Sequence, residues 1–593
     1  MMMNDMVLDE LLARFRTERA PRPDAFASVA SFELRFFAKV NAGKRKSSRP
    51  KPSVLDAAKG LLRRYRSAAS QFDGADAVCC SLAPTVHSMK SFSLAAPGIK
   101  ACMSAVGSLF GDSADAGGTP SFDTEEYKTV GERPFVEVTT NPLSTFGADV
   151  DTAMYSNLRR MVFEEHRLPP AEAVRIEELI NYFGYDYPQP EGDAVMRPCF
   201  EMGASPWAPE RRLLLIGVQA KTPDMPALPP SHYVFLIDNS GSMEDVFPMV
   251  KAAMTTLAKQ LRPGDLVSLV TYGGGVEVLL EGCCDVDKIC RRIDALEADG
   301  YTPGGEGIQT AYRLAEEHFI AGGNNRIVLI SDGDFNVGAS SEAALVEMVK
   351  AKRDAGIYLS IAGCGMGNYK DNKLKMLANQ GNGNCFYLDS EREAKRVFVH
   401  GMTGNMYALA RDVKFQIEFN PEKVFAYRLI GYELRDMTDR DFRDDDKESG
   451  TVGAGQQVTA LYEIIPAEAS DEVRNAAVPG ARPLKYASVV ANGSDELLTF
   501  RIRWKKPQGK DAAMEDSVAV APPLASTENW GWAAAVAEFG LALRDSKFAP
   551  EASVAHAAQE AQKYLGEDRN GDRAEFLLLA RRSVELGRDR KAK

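Results

Sequence analysis

Tyr233-Val234-Phe235-Leu236-Ile237-Asp238-Asn239-Ser240-Gly241-Ser242 sets an apolar run directly before a carboxylate and two hydroxyls. Such a run, short and without polar interruption, suits a parallel strand buried on both faces. Comparable runs recur at 266–272, 326–330 and 357–362, and helix-forming stretches lie between and beside them at 246–261, 287–296, 305–318 and 341–355. Alternation on this scale predicts a doubly wound α/β fold with a mainly parallel sheet. In such a sheet the ligand site lies outside the carboxyl ends of the strands.

Alone, the Asp-x-Ser-Gly-Ser fragment reads as a turn at least as readily as a site, because these residue types bond their own backbone. Two further loops change the balance. Gly300-Tyr301-Thr302-Pro303-Gly304-Gly305 offers a hydroxyl before a helix, and Ile330-Ser331-Asp332-Gly333-Asp334 offers a carboxylate after another apolar strand. A parallel sheet brings all three loops to one edge. Mg²⁺ takes six hard oxygens at about 2.1 Å and keeps several waters. Neutral hydroxyls from Ser240, Ser242 and Thr302, with Asp238 and Asp332 acting mostly through water, leave a cation electron-poor. Such a cation seeks an anionic oxygen, most simply a Glu or Asp of a partner protein. Pro303 restricts Thr302 to extended geometry.

These five residues match the metal-ion-dependent adhesion site of von Willebrand factor type A (VWA) domains, which this part of the sequence resembles. The resemblance implies a Rossmann-like VWA sheet and bound Mg²⁺ or Mn²⁺. It assigns direct ligation to Ser240, Ser242 and Thr302, with Asp238 and Asp332 acting through water or switching between modes. It also extends beyond the domain. Asn141-Pro142-Leu143-Ser144-Thr145-Phe146, then Asp149-Val150-Asp151-Thr152 and Val174 through Phe183, are similar to the N-terminal segment of bacterial YfbK-type VWA proteins, and 415–433 and 564–576 are similar to their C-terminal region.

The flanks carry a different pattern. Strand-like runs at 197–203 and 212–221 precede the α/β block, and alternating runs at 413–419, 457–465 and 497–504 follow it. The expectation is a VWA domain inserted in or flanked by a β-rich domain, the outer strands pairing into one sandwich. A helix is expected over 168–188, and C-terminal helices over 530–544, 552–564 and 573–585. The expected division is a weakly ordered segment 1–130, an N-terminal family segment 131–228, the VWA domain 229–405, a β-rich domain 406–525 and a helical region 526–593.

A net charge of −12 opposes generic nucleic-acid binding and favours cations at an acidic cleft. The basic run 44–51 lacks interleaved aromatic residues and reads as linker. Nine scattered cysteines form no disulfide framework, which suggests reduced thiols. No segment approaches the roughly 18 apolar residues of a membrane span, and no apolar leader is evident, so a cytoplasmic location is expected. The 568–572 stretch begins like a calcium loop but has Arg573 and Leu579 where glycine and glutamate belong, so it reads as a turn and helix cap. No catalytic motif stands out among the six histidines; His232, just ahead of the site strand, is the one conceivable base. The expected function is therefore metal-dependent protein binding, not catalysis. Metal-dependent hydrolysis, a scaffold role and an adaptor for a separate AAA+ ATPase are the alternatives.

Overall fold

The computed structural model describes residues 131–148, 151–224, 228–273, 275–298, 305–332, 342–365, 371–480, 493–507 and 512–592. The 1–130 segment, with its basic run, lies outside the described residues, as do Thr302, Pro303 and Asp334.

The chain begins with β1 (Val136–Glu137), β2 (Leu143–Gly147), α1 (Ala153–Phe163), α2 (Ile176–Ile180), β3 (Met196–Ser205) and β4 (Ala208–Ala220). The α/β block then runs through β5 (Ser231–Asp238), α3 (Phe247–Ala258), β6 (Leu266–Tyr272), β7 (Val276–Cys283), α4 (Val286–Asp294) and α5 (Gly305–Glu317). It continues with β8 (Asn324–Ser331), α6 (Glu342–Asp354), β9 (Ile357–Cys364), α7 (Asp371–Gln380), β10 (Cys385–Leu388), α8 (Glu391–Lys395) and α9 (Met402–Met406). After it come β11 (Ala408–Phe419), β12 (Val424–Ile430), β13 (Asp436–Met437), β14 (Val452–Gly453) and β15 (Gln457–Pro466). The chain ends with α10 (Asp471–Ala477), β16 (Leu498–Lys505), β17 (Met514–Val520), α11 (Glu528–Leu543), α12 (Val554–Lys563) and α13 (Asp572–Ala592).

The block forms a six-stranded sheet in the order β10-β9-β8-β5-β6-β7. It is parallel except for β7, which turns back antiparallel on β6. Along β5, Tyr233, Phe235 and Ile237 pack with α3 and α4, while Val234 and Leu236 pack with α5, α6 and α7. Burial of both faces is why the strand reads as an unbroken apolar run. It also sets the register, since a one-residue slip would exchange two packed faces.

Strands from either side of the block share two further sheets, of order β1-β12-β15-β4-β3 and β13-β2-β11-β16-β17. β4 pairs with β15 from Gln219↔Gln457 to Arg212↔Ile464, and β2 pairs with β11 from Gly147↔Lys414 to Leu143↔Glu418. The α/β block is thus inserted between strands of one sandwich. Leu214, Ile216, Tyr462 and Ile464 of the first sheet meet Phe146, Phe415, Phe500 and Ile502 of the second. The opposite face of the first sheet, with Leu213, Leu215 and Leu461, is covered by α2 and the C-terminal helices around the buried Trp532. None of the described helices is long and apolar enough to cross a membrane.

The sequence pattern over 168–188 predicts one helix, but the helical part is a single 3₁₀ turn at Ala171–Ala173 followed by α2. Asn181 accounts for the early stop. Its side-chain Nδ2 donates to Glu177 O at 2.9 Å, and its Oδ1 accepts from Thr459 N at 2.7 Å. The bond to β15 turns the chain out of the helix.

Both connections of the inserted block run past one loop. Gly455 N donates to Lys221 O on the way in, and Ala454 N donates to Tyr407 O on the way out, at 2.9 and 2.8 Å. Arg262 closes the crossing. It donates to Leu228 O at 3.1 Å, to Pro229 O at 2.7 Å and to the Tyr407 hydroxyl at 2.6 Å.

Candidate metal centre

β5 ends at Asp238, whose Oδ1 accepts the backbone N–H of Ser240 at 2.9 Å. This local bond turns the chain at the strand end. Ser240, with φ −63° and ψ 158°, then caps a 3₁₀ turn over Gly241–Met243. Met243 is fully buried and anchors the turn from below, its sulfur 3.8 Å from Cys364 Sγ. Ser242 stays exposed above it, with the Ser240 and Ser242 hydroxyls 3.0 Å apart.

Strand register supplies the rest. Tyr272 of β6 lies opposite Asp238, and on the other side Ile237 pairs with Ile330 of β8. Adjacent parallel strands sit about 4.8 Å apart, so Ser331 and Asp332 arrive beside Asp238. Ser331 Oγ donates to Asp238 Oδ2 at 3.3 Å. Asp238 and Asp332 are 4% and 5% exposed, so both carboxylates are largely out of water. Burial pushes the Asp238 carboxyl up, and the nearby Asp332 charge adds to the rise. Hydrogen bonds from Ser240 and from Tyr272 oppose it. Burial and the charge of Asp238 likewise raise the Tyr272 hydroxyl well above its ordinary range.

The structure therefore brings Asp238, Ser240, Ser242 and Asp332 together at one rim, while Thr302 lies outside the described residues. The four fit a hard divalent cation. They offer hydroxyl and carboxylate oxygens only, the donor set a hard cation prefers. Among the described residues, no cluster of three or more His, Cys, Asp or Glu suggests another metal centre. The Cys364 thiol lies nearby but is held protonated. Burial raises it first, and the charges of Asp332 and Asp238 raise it further.

Three supporting residues escape sequence reasoning. Tyr272 and Ser331 become visible as partners of Asp238 only once strand order is known. Gly273 carries a signal in Tyr272-Gly273-Gly274-Gly275, where a Cβ would fall 2.4 Å from Asn239 Oδ1 and 2.8 Å from Ser240 N. Glycine is what lets the β6 turn press against the Ser240 loop. His232 is excluded as a base for this site. It lies near the start of β5, six residues and about 20 Å from Asp238, and burial with His318 alongside pulls its pKa down to about 4. The 568–572 stretch is a helix cap, its Asp568 accepting from Arg573 N at 3.2 Å and from Ala574 N at 2.8 Å.

Three family descriptions match the chain: "von Willebrand factor" over residues 121–215, "von Willebrand factor type A domain" over 233–334, and "Uncharacterized protein YfbK, C-terminal" over 404–586. Protein YfbK of Escherichia coli (strain K12) is 37% identical over 471 residues, which is 77% of this chain and 80% of the relative. Among solved structures, a von Willebrand factor type A protein from Catenulispora acidiphila is 14% identical, covers 63% of this chain and 87% of its own, and has a TM-score of 0.37. The ArnB paralog VWA2 from Sulfolobus acidocaldarius is 16% identical over 66% of this chain and 98% of its own, with a TM-score of 0.33.

Proposed function

From the premise that the chain belongs to the YfbK family of VWA-domain proteins, we propose that it captures an acidic group of a partner protein through a divalent cation. Asp238, Ser240, Ser242 and Asp332 would hold Mg²⁺ or Mn²⁺, with Thr302 as the remaining ligand. The observation that carries this reading is the Ser240–Ser242 hydroxyl pair, 3.0 Å apart, at the mouth of two buried carboxylates, where burial and then the charge of Asp332 raise the cost of ionising Asp238.

When bound, the metal supplies a Lewis-acidic position that a Glu or Asp side chain completes. The protein's residues do the rest. Ser331 and Tyr272 orient the Asp238 carboxylate from both neighbouring strands. The Met243 anchor keeps the two serine hydroxyls presented to solvent. Binding is favoured over hydrolysis because the histidine nearest in sequence lies at the far end of its strand.

The test is partner capture from lysate with Mg²⁺ and with EDTA, comparing the natural chain with Asp238→Ala and Ser240→Ala. Metal-dependent capture lost in both variants, with unchanged circular dichroism, supports the reading. Capture that survives EDTA and both substitutions sinks it.

A further inference from the structure

Among the described residues, two margins of the sandwich carry no further strand. β3 is the outer strand of the first sheet and β17 the outer strand of the second. Between them lies a cavity of about 370 Å³ whose walls include Met196, Pro198, Phe500 and Ile502. Directly opposite residues on paired strands share a face. The pairings Phe500↔Val518 and Ile502↔Asp516 therefore put Val518 and Asp516 on the inner side. Phe500 and Ile502 are only 1% and 3% exposed, yet Val518 is 39% exposed, because no further described strand covers it.

Asp516 is thus an exposed carboxylate on the slot side of β17, beside apolar side chains, and among the described residues it has no ion-pair partner. Arg197 on the facing margin is taken by Glu191 at 2.6 Å. Glu515, next along the strand and exposed, adds a second negative charge. An open strand edge offers unpaired backbone donors and acceptors to an incoming strand. An inward charge selects among such strands. It works against a second copy of this chain, since close pairing would bury Asp516 without a cation. It favours a strand that brings its own cation.

We propose that the β17 margin takes up an extended segment of a partner protein whose slot-facing positions, every second residue, carry an aliphatic side chain opposite Val518 and a lysine or arginine opposite Asp516. Its backbone extends the second sheet beyond β17. Its aliphatic side chain enters the slot over Phe500 and Val518, its slot-facing lysine or arginine meets Asp516 on the same face, and Glu515 on the outer face adds attraction for a basic segment. This surface is independent of the cation site.

The experiment is fluorescence anisotropy of the full chain with a short labelled peptide in which valine and lysine alternate along one face, with threonine at every intervening position. Saturable binding is expected, unchanged by EDTA and weakened by about tenfold in Asp516→Lys. The less drastic Asp516→Asn should weaken it by a smaller factor, and circular dichroism should report intact folds for both. A peptide with proline at its centre, which cannot complete a strand ladder, should bind at least as weakly as the proline-free peptide binds Asp516→Lys. Absence of saturable binding overturns the proposal. So does equal affinity for the proline peptide, which would mean charge attraction without strand addition, or equal affinity of Asp516→Lys.

Discussion

Replacing Arg159 by alanine should destabilise the protein by about 3–5 kcal/mol at neutral pH. The figure follows from where its partners lie. Arg159 Nε and Nη2 donate to Asp389 at 2.6 and 2.5 Å, Nη2 also reaches Glu393 at 2.8 Å, and Nη1 reaches Glu575 at 2.6 Å. The Arg159, Asp389 and Glu393 side chains are 8%, 4% and 2% exposed, so the value of about 1 kcal/mol or less typical of surface pairs does not apply. Glu393 keeps Arg396 and the Tyr182 hydroxyl, and Glu575 keeps Arg392. Among the described residues Asp389 keeps only the hydroxyl of Ser390, at 3.0 Å. Its carboxyl is already raised by burial, with Arg159 holding the rise back, so deletion must raise it further. A raised folded pKa gives stability that is present below the unfolded value of about 3.9 and lost as pH climbs through the folded one. Glu393 acts with it. Burial favours its neutral form, but Arg396 and Arg159 outweigh that and lower it, giving stability above about pH 4.3 that the variant partly forfeits. Both effects make the deficit small near pH 4 and full at pH 7. Urea denaturation followed by the fluorescence of the buried Trp532 reads it directly. Arg159→Met combined with Asp389→Leu should recover most of the loss. A deficit below about 1 kcal/mol at pH 7, or one that is flat between these pH values, would refute the reasoning.

Two further outcomes are expected. Gly273→Ala places a methyl 2.4 Å from Asn239 Oδ1. It should cost about 1–3 kcal/mol and reduce the thermal stabilisation that Mg²⁺ gives; an unchanged Mg²⁺ response would separate the β6 turn from the site. Arg262→Ala removes the bonds to Leu228 O, Pro229 O and the Tyr407 hydroxyl. It should lower stability by about 2 kcal/mol and speed hydrogen exchange at the start of β5, and native-like protection there would show that the crossing is held by other contacts.

The inserted sheet was legible because burial on both faces erases polar alternation, leaving runs such as Val234 through Ile237 that few other environments tolerate. The Asp238, Ser240 and Ser242 part of the site was legible because it is local, closed by a bond two residues long. What escaped depends on partners distant in the chain. β17 lacks an apolar stripe because its edge position leaves five consecutive residues in solvent. Tyr272 and Ser331 look like ordinary strand residues until register sets them beside Asp238. Nothing local marks Arg159 as buried, because its partners lie 230 and 416 residues further on.

These distant contacts bear on how the site is presented. The host sandwich meets the inserted sheet at the amino end of β5, where Arg262 and the 453–456 loop gather both connections. Through Arg159 it also reaches Asp389, just past the carboxyl end of β10. β10 stands three strands from β5 in the sheet order, or about 14 Å at the usual strand spacing. One grip is thus at the base and the other on the same rim as Asp238, off to its side. A sheet held at both ends cannot swing about its connections, so the hydroxyl pair of Ser240 and Ser242 keeps one direction relative to α1 and the C-terminal helices. A partner that engages the rim then meets host surface along with the site. Under the proposed function, specificity for it can reside in exposed host-facing residues such as Arg392, which pairs with Asp572 and Glu575 of α13 and lies outside the proposed cation ligands.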